Sequence, residues 1–165
     1  MAKDFVFVTE LEHSVHDVHA ALVDERFWRG REEGRDTSST AVEQPAGPGT
    51  VRVKVTDQAD SSHLPAVVRG ILRGPLVMER QDEWGPLVDE QAEGALVGGA
   101  AGLPIAIEGR SVLRASESGG AIIDLQGQVA VKIPLLGGQI EGLVHQMVTQ
   151  IVENDRTALD SWLKG

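Results

Sequence analysis

The chain has 165 residues, 41% hydrophobic and 24% charged, with 25 acidic against 15 basic side chains and a formal net charge of −10. A chain of that size buries a core without disulfides or metals, and its lack of cysteine excludes disulfides, thiolate nucleophiles and thiolate zinc sites. The negative charge opposes the phosphate attraction behind nucleic-acid binding, and no Lys/Arg cluster on an amphipathic face favours an anionic membrane. We therefore expect one domain over residues 1–165, with no nucleic-acid partner and no stable membrane insertion. The default address is cytoplasmic, because the apolar run after Met1-Ala2-Lys3-Asp4 is too short for a signal-peptide core or a membrane span.

Phe5, Phe7, Thr9 and Leu11 alternate with Val6, Val8, Glu10 and Glu12, predicting a first strand whose odd positions face inward. Ser14 with Asp17 resembles a capping box with Asp in place of Glu, and Val15, Val18, His19 and Leu22 follow at helical spacing. A second, shorter helical turn over 24–29 has only Phe27 and Trp28 as apolar anchors, and the charged connection over 30–36 should be exposed. From Thr37 the period is two. Thr40 to Glu43 leads through Pro45, Gly47, Pro48 and Gly49 into Val51, Val53 and Val55, a hairpin by composition. Leu64 to Leu72 returns to helical spacing behind Pro65, which suits a first-turn proline. In the strand from Leu76 to Trp84, Leu76, Met78, Arg80, Asp82 and Trp84 share one face. Over Leu87 to Val97 the alternation is broken by Gly94 and followed by Gly98, Gly99 and Gly102, predicting a weak strand and a loose, hinge-like loop. Ile105, Ile107, Gly109, Ser111 and Leu113 form the inner face of the next strand. After the turn Ser118-Gly119-Gly120, Ile123, Leu125, Gly127, Val129, Val131 and Ile133 form that of the last.

The final segment, Gly138 to Lys164, is one long amphipathic helix of roughly 40 Å at 1.5 Å per residue. Its apolar stripe is read as Ile140, Val144, Met147, Ile151, Ala158, Leu159 and Trp162, with Leu143 and Val148 at the edges. No second helix of that length is available to cover it. Its partner should be a curved antiparallel sheet of about six or seven strands wrapped around it, an α+β architecture.

That order of elements resembles the helix-grip fold of the START-like (SRPBCC) superfamily, which includes lipid-transfer domains, relatives of the plant pollen allergens (Bet v 1-like) and polyketide cyclases. Three stretches, over residues 14–22, 64–69 and 134–141, resemble more narrowly an uncharacterised, mainly actinobacterial domain family within it. The resemblance implies a cavity between sheet and helix that takes an apolar small molecule. It transfers no catalytic residue and implies no cofactor.

The candidate lining of that cavity is Trp28, Met78, Arg80, Asp82, Trp84, Ile107, Val129, Val144, Met147, Ile151 and Asp155. Core packing is the alternative for the apolar members and is preferred for Trp162. Arg80 and Asp82 are either a charged pair facing an apolar cavity or, as preferred, an ion pair turned outward by a bulge or the sheet's end. Asp155 interrupts the stripe, and the preferred reading has it meeting water where the helix leaves the sheet. His13, His16 and His19 are spaced by three but do not converge, so no metal site is expected; His63 and His145 are read as exposed. The functional expectation is binding or transport of a hydrophobic small molecule, lipid or polyketide-like, by a monomer or homodimer, which requires a cavity of a few hundred Å³. An acid–base enzyme of the cyclase or hydrolase type, using Arg80, Asp82 or Asp155, is the alternative if those groups converge. A protein-interaction module with an exposed edge or apolar patch is the third reading.

Overall fold

The computed structural model describes residues 2–31, 38–59, 62, 66–72, 74–135 and 137–165. The expectations for Pro65, His63 and the connection beyond Arg31 lie outside those residues. The elements run β1 (Ala2–Leu11), α1 (Val15–Leu22), α2 (Glu25–Gly30), β2 (Ser38–Glu43), β3 (Val51–Ala59), α3 (Ala66–Ile71), β4 (Leu76–Trp84), β5 (Gln91–Ala100), β6 (Ile105–Ala115), β7 (Ala121–Val131) and α4 (Gly137–Lys164). One antiparallel sheet of seven strands has the order β1-β7-β6-β5-β4-β3-β2, so the first strand closes on the last while β2 forms the far edge. The 28 residues of α4, about 42 Å long, lie against the β1 and β7 end of the sheet and against α1.

Local chemistry accounts for these elements. The Ser14 hydroxyl accepts the Asp17 N–H at 3.1 Å and caps α1, and the Asp24 carboxylate accepts the Arg26 N–H at 2.9 Å and starts α2. Trp28 is fixed by its indole N–H, which donates to the Leu22 carbonyl at 2.7 Å. Along the strands, alternation decides the faces: Phe5, Val51, Val53, Leu113 and Val129 are buried, while Val6 and Val8 on the opposite face of β1 are exposed.

The weak strand expected before Val97 is instead a full central strand, and Gly98 and Gly99 lie inside β5 rather than in a hinge. Glycine is needed there for proximity. A Cβ on Gly94 would lie 2.7 Å from the Glu83 carbonyl and 2.9 Å from the Trp84 ring, and one on Gly99 would lie 2.8 Å from the Ile105 carbonyl. Missing side chains weakened the alternation without weakening the pairing.

The buried face of α4 is also rotated from the expected stripe. Ile140, Val144, Val148 and Leu159 are buried, with Val148 fully so, whereas Met147 and Leu143 are each 37% exposed. Met147 lies about 100° round the helix from Val148, and the shorter branched side chain takes the sheet-facing position. Trp162, read as core, is 39% exposed and only edges the Phe27 ring, with centroids 5.8 Å apart.

The inner face carries two apolar clusters. One joins Phe5, Leu96, Ile107, Leu125 and Val129 to Ile140, Val144 and Val148; the other joins Leu11, α1, Phe27, Trp28, Val51, Val53 and Trp84 to Leu159. Gly127 and Gly109 face each other across β7 and β6, and a Cβ on Gly127 would meet the Glu108 carbonyl and the Phe5 ring. Gly127→Ala should therefore destabilise the fold by about 1–3 kcal/mol. Gly142→Ala, with open space around a helical position, should stabilise it by about 0.5–1 kcal/mol; urea denaturation of both variants checks the contrast.

Candidate functional site

Between the two clusters, the inner face changes from apolar to polar. Thr9 on β1, Ser111 on β6 and Asp82 on β4 are all buried there. Ser111 pairs with Leu125 on β7, and Leu96 on β5 pairs with Asp82, so these residues form a band across the sheet. Opposite them α4 presents Ile151, Val152, Asp155 and Leu159, and α2 closes one end with Phe27 and Trp28. Short polar side chains on the sheet leave space that the flanking aliphatic layers do not.

That space is narrow. The void is about 60 Å³, and all unfilled volume including its solvent-facing mouth is about 620 Å³. The few hundred Å³ of enclosed space expected from the element order is thus not open, because Ile140, Val144 and Val148 pack directly onto the sheet over the first half of the helix.

At the wall lies a four-residue charge network. Arg80 donates to Asp155 at 2.6 Å and to Asp82 at 3.0 Å. Its Nε stands a further 2.6 Å from Asp82 Oδ2, out of line for a hydrogen bond. Arg31, just after α2, reaches Asp155 Oδ1 at 2.7 Å and packs its guanidinium over the Phe27 and Trp28 rings, 5.8 and 5.6 Å from their centroids. Arg80 and Asp82 therefore do not form the outward-turned surface pair that was preferred. β4 pairs through them without interruption to β3 and β5, so no bulge turns them out and Asp82 is only 8% exposed. Nor does Asp155 simply meet water: two guanidinium groups bind it.

The two carboxyls are pushed in opposite directions. Burial outweighs the pull of Arg80 on Asp82, with Asp155's charge adding to it, and holds that carboxyl above the usual range. Asp155 is half-buried and partly desolvated, but Arg80 and Arg31 outweigh the desolvation and hold it below that range. Arg80 loses hydration on burial, yet the two aspartates raise it further above an already high value.

Of the candidate residues, Trp28, Arg80, Asp82, Trp84, Ile151 and Asp155 meet at this cavity. Ile107, Val129 and Val144 are packed in the first apolar cluster, with Met78 half-buried against it, and Met147 is exposed. Arg31, Thr9 and Ser111 were not singled out. Ser111 and Thr9 carried a signal, as short polar residues at inward positions of otherwise apolar strands; Arg31 carried none. The three spaced histidines go to separate partners: His13 bonds Asp160 at 3.0 Å, His16 lies 3.6 Å from Glu90, and His19 bonds the Gly85 carbonyl at 2.9 Å. His145, expected in solvent, is half-buried against the Phe7 ring, 5.8 Å between centroids.

From residue 7 to residue 163 the sequence matches the family described as Protein of unknown function (DUF2505). The chain belongs to this family. Uncharacterized proteins of Mycobacterium tuberculosis (strain H37Rv) and Mycobacterium bovis are each 29% identical to it, over 99% of this chain and 98% of their own. Among solved structures it resembles the Zhui aromatase/cyclase from Streptomyces sp. R1128, with a TM-score of 0.64 and 9% identity over 99% of this chain and 94% of that one. Truncated norcoclaurine synthase from Thalictrum flavum gives a TM-score of 0.62 at 12% identity over 99% and 94%. Ara h 8.0201 gives 0.59 at 16% over 99% and 98%. At those identities the likeness is one of fold, and the fold is the helix grip of the Bet v 1 and START-like proteins. Among the described residues, no helix is long and apolar enough to cross a membrane.

The opposed carboxyls give the network a pH signature. Asp155, held low, stabilises the fold above its ordinary value of 3.8, and that contribution is lost as pH falls through its folded value. Asp82, held high, has the opposite sign: its contribution is complete below 3.8 and is lost as pH rises through its folded value. In urea denaturation from pH 3 to pH 7, the deficit of Asp155→Asn relative to the unaltered protein should grow with pH, whereas that of Asp82→Asn should shrink. Asp155→Ala should cost on the order of 3 kcal/mol at neutral pH, because it leaves two guanidiniums without their shared partner.

Proposed function

We propose that this protein binds a compact small molecule, with a mainly apolar body and one polar group, between the sheet and α4. The observation that carries the reading is the void itself: its wall is mostly apolar, yet an ordered, half-buried network of Arg31, Arg80, Asp82 and Asp155 stands at one side. Pockets of this composition hold small ligands, the apolar wall supplying affinity and the polar groups fixing orientation. The void of about 60 Å³ excludes a lipid chain, and a guest of one ring would occupy the solvent-facing mouth as well. A norcoclaurine synthase structure is described in complex with dopamine and hydroxybenzaldehyde, so a related fold accommodates molecules of that scale.

A second reading, acid–base catalysis in the same cavity, is favoured by one observation. Asp82 and Asp155 converge on a single guanidinium with their proton affinities driven apart, the usual arrangement where one carboxyl donates a proton and another stays ionised. Asp82 would then be the proton-carrying group.

Binding is tested by native mass spectrometry of freshly purified protein, together with titration by benzamide followed through tryptophan fluorescence, since Trp28 and Trp84 both line the void. We expect a co-purifying small molecule or a saturable benzamide response, and loss of that response in Ser111→Leu, which fills the gap from the sheet side. A folded protein that carries nothing and gives no saturable response would overturn the reading.

A further inference from the structure

The charges around the cavity are mutually paired, in contrast to the acidity of the chain. Its wall carries three arginines, Arg31, Arg80 and Arg156, and two aspartates, Asp82 and Asp155, with Glu153 facing Arg156, so the formal net charge of −10 is not repeated there. The groups differ in how fully they are engaged. Arg80 is shared between both aspartates and has no capacity for a ligand without breaking that arrangement. Arg156 is half exposed and 3.8 Å from Glu153 on its own helix. Arg31 differs from both. Among the described residues its polar partner is Asp155, reached through one terminal nitrogen, which leaves other N–H groups of the planar fork open. It is only 26% exposed as a side chain, and two aromatic rings hold the guanidinium in place, so little rotamer freedom remains to be lost on binding.

Resting on the pocket reading above, we propose that the ligand is a compact carboxylate, its apolar body in the void between Trp28, Trp84 and Ile151 and its anion on the N–H groups of Arg31 that Asp155 leaves open. Asp155 then acts as a positioning residue, turning the arginine fork rather than touching the ligand. Charge-assisted bonds to a fixed guanidinium discriminate strongly between a carboxylate and a neutral group of the same shape.

The test compares benzoate with benzamide, which share a ring and a shape and differ in charge, on the full chain at constant ionic strength, with tryptophan fluorescence as the readout. We expect benzoate to bind about tenfold or more tightly than benzamide. In Arg31→Gln the ratio of the two affinities should fall to about one, circular dichroism confirming the fold. Equal affinities in the unaltered protein, or a preference that survives Arg31→Gln, would refute the carboxylate assignment and leave small-molecule binding standing. Failure of both compounds to bind a folded chain would remove both. The ratio in the unaltered protein decides the matter even if Arg31→Gln proves unstable.

Discussion

Arg80 ties the two halves of this molecule together. It projects from a central strand onto the covered face of the sheet and is held there by Asp82 on its own strand and by Asp155 on the long helix. Removing a guanidinium from water costs several kcal/mol, and a single carboxylate rarely repays it in full. Two do so here, and the second comes from the helix. The ionic network therefore fixes the position of α4 along the sheet in a way that interchangeable aliphatic contacts do not, since a helix slipped by one turn would leave the guanidinium with Asp82 alone.

The same interaction explains where the cavity lies. Charged groups need room and polar neighbours, so the apolar core is divided into a cluster under the first half of α4 and another around α1, α2 and Trp84. Thr9 and Ser111 continue the polar band across the sheet and are too short to fill the space opposite Ile151 and Val152. A void results where the two clusters meet. Its dimensions, mouth included, suit a compact guest, and the electrostatics of its wall, with Asp155 held low by Arg80 and Arg31 and Asp82 held high by burial, suit either orientation of a polar group or transfer of a proton. Both uses draw on a single property: the polar groups are already ordered by one another before any guest arrives.

Much of the architecture was legible in the chain because its signals are local. Alternation at Phe5 to Leu11, at Val51 to Val55 and at Ile123 to Val131, the Ser14 cap, and the absence of a second long helix together implied a sheet wrapped on α4. The misreadings share a cause. Gly94, Gly98 and Gly99 looked like a loop because periodicity is carried by side chains, and a strand that needs bare backbone for close neighbours has none to show. Met147 was placed on the buried stripe because it is apolar, but Val148, one position on, takes that place. In both cases the deciding contact comes from a residue far away in the chain.

By itself, then, the sequence determined the element order, the inward face of most strands and the amphipathic character of the last helix, because these depend on residues a few positions apart. Which residues gather around the cavity was a matter for tertiary structure alone. Arg31, Arg80, Asp82 and Asp155 come from a helix exit, a strand and a helix separated by as many as 124 positions, and no local pattern records that they meet. Tertiary packing also decided the size of the void, because how far a helix sinks onto a sheet depends on the volumes of facing side chains, Val148 and Ile140 against Phe5 and Val129, and not on the period of either element.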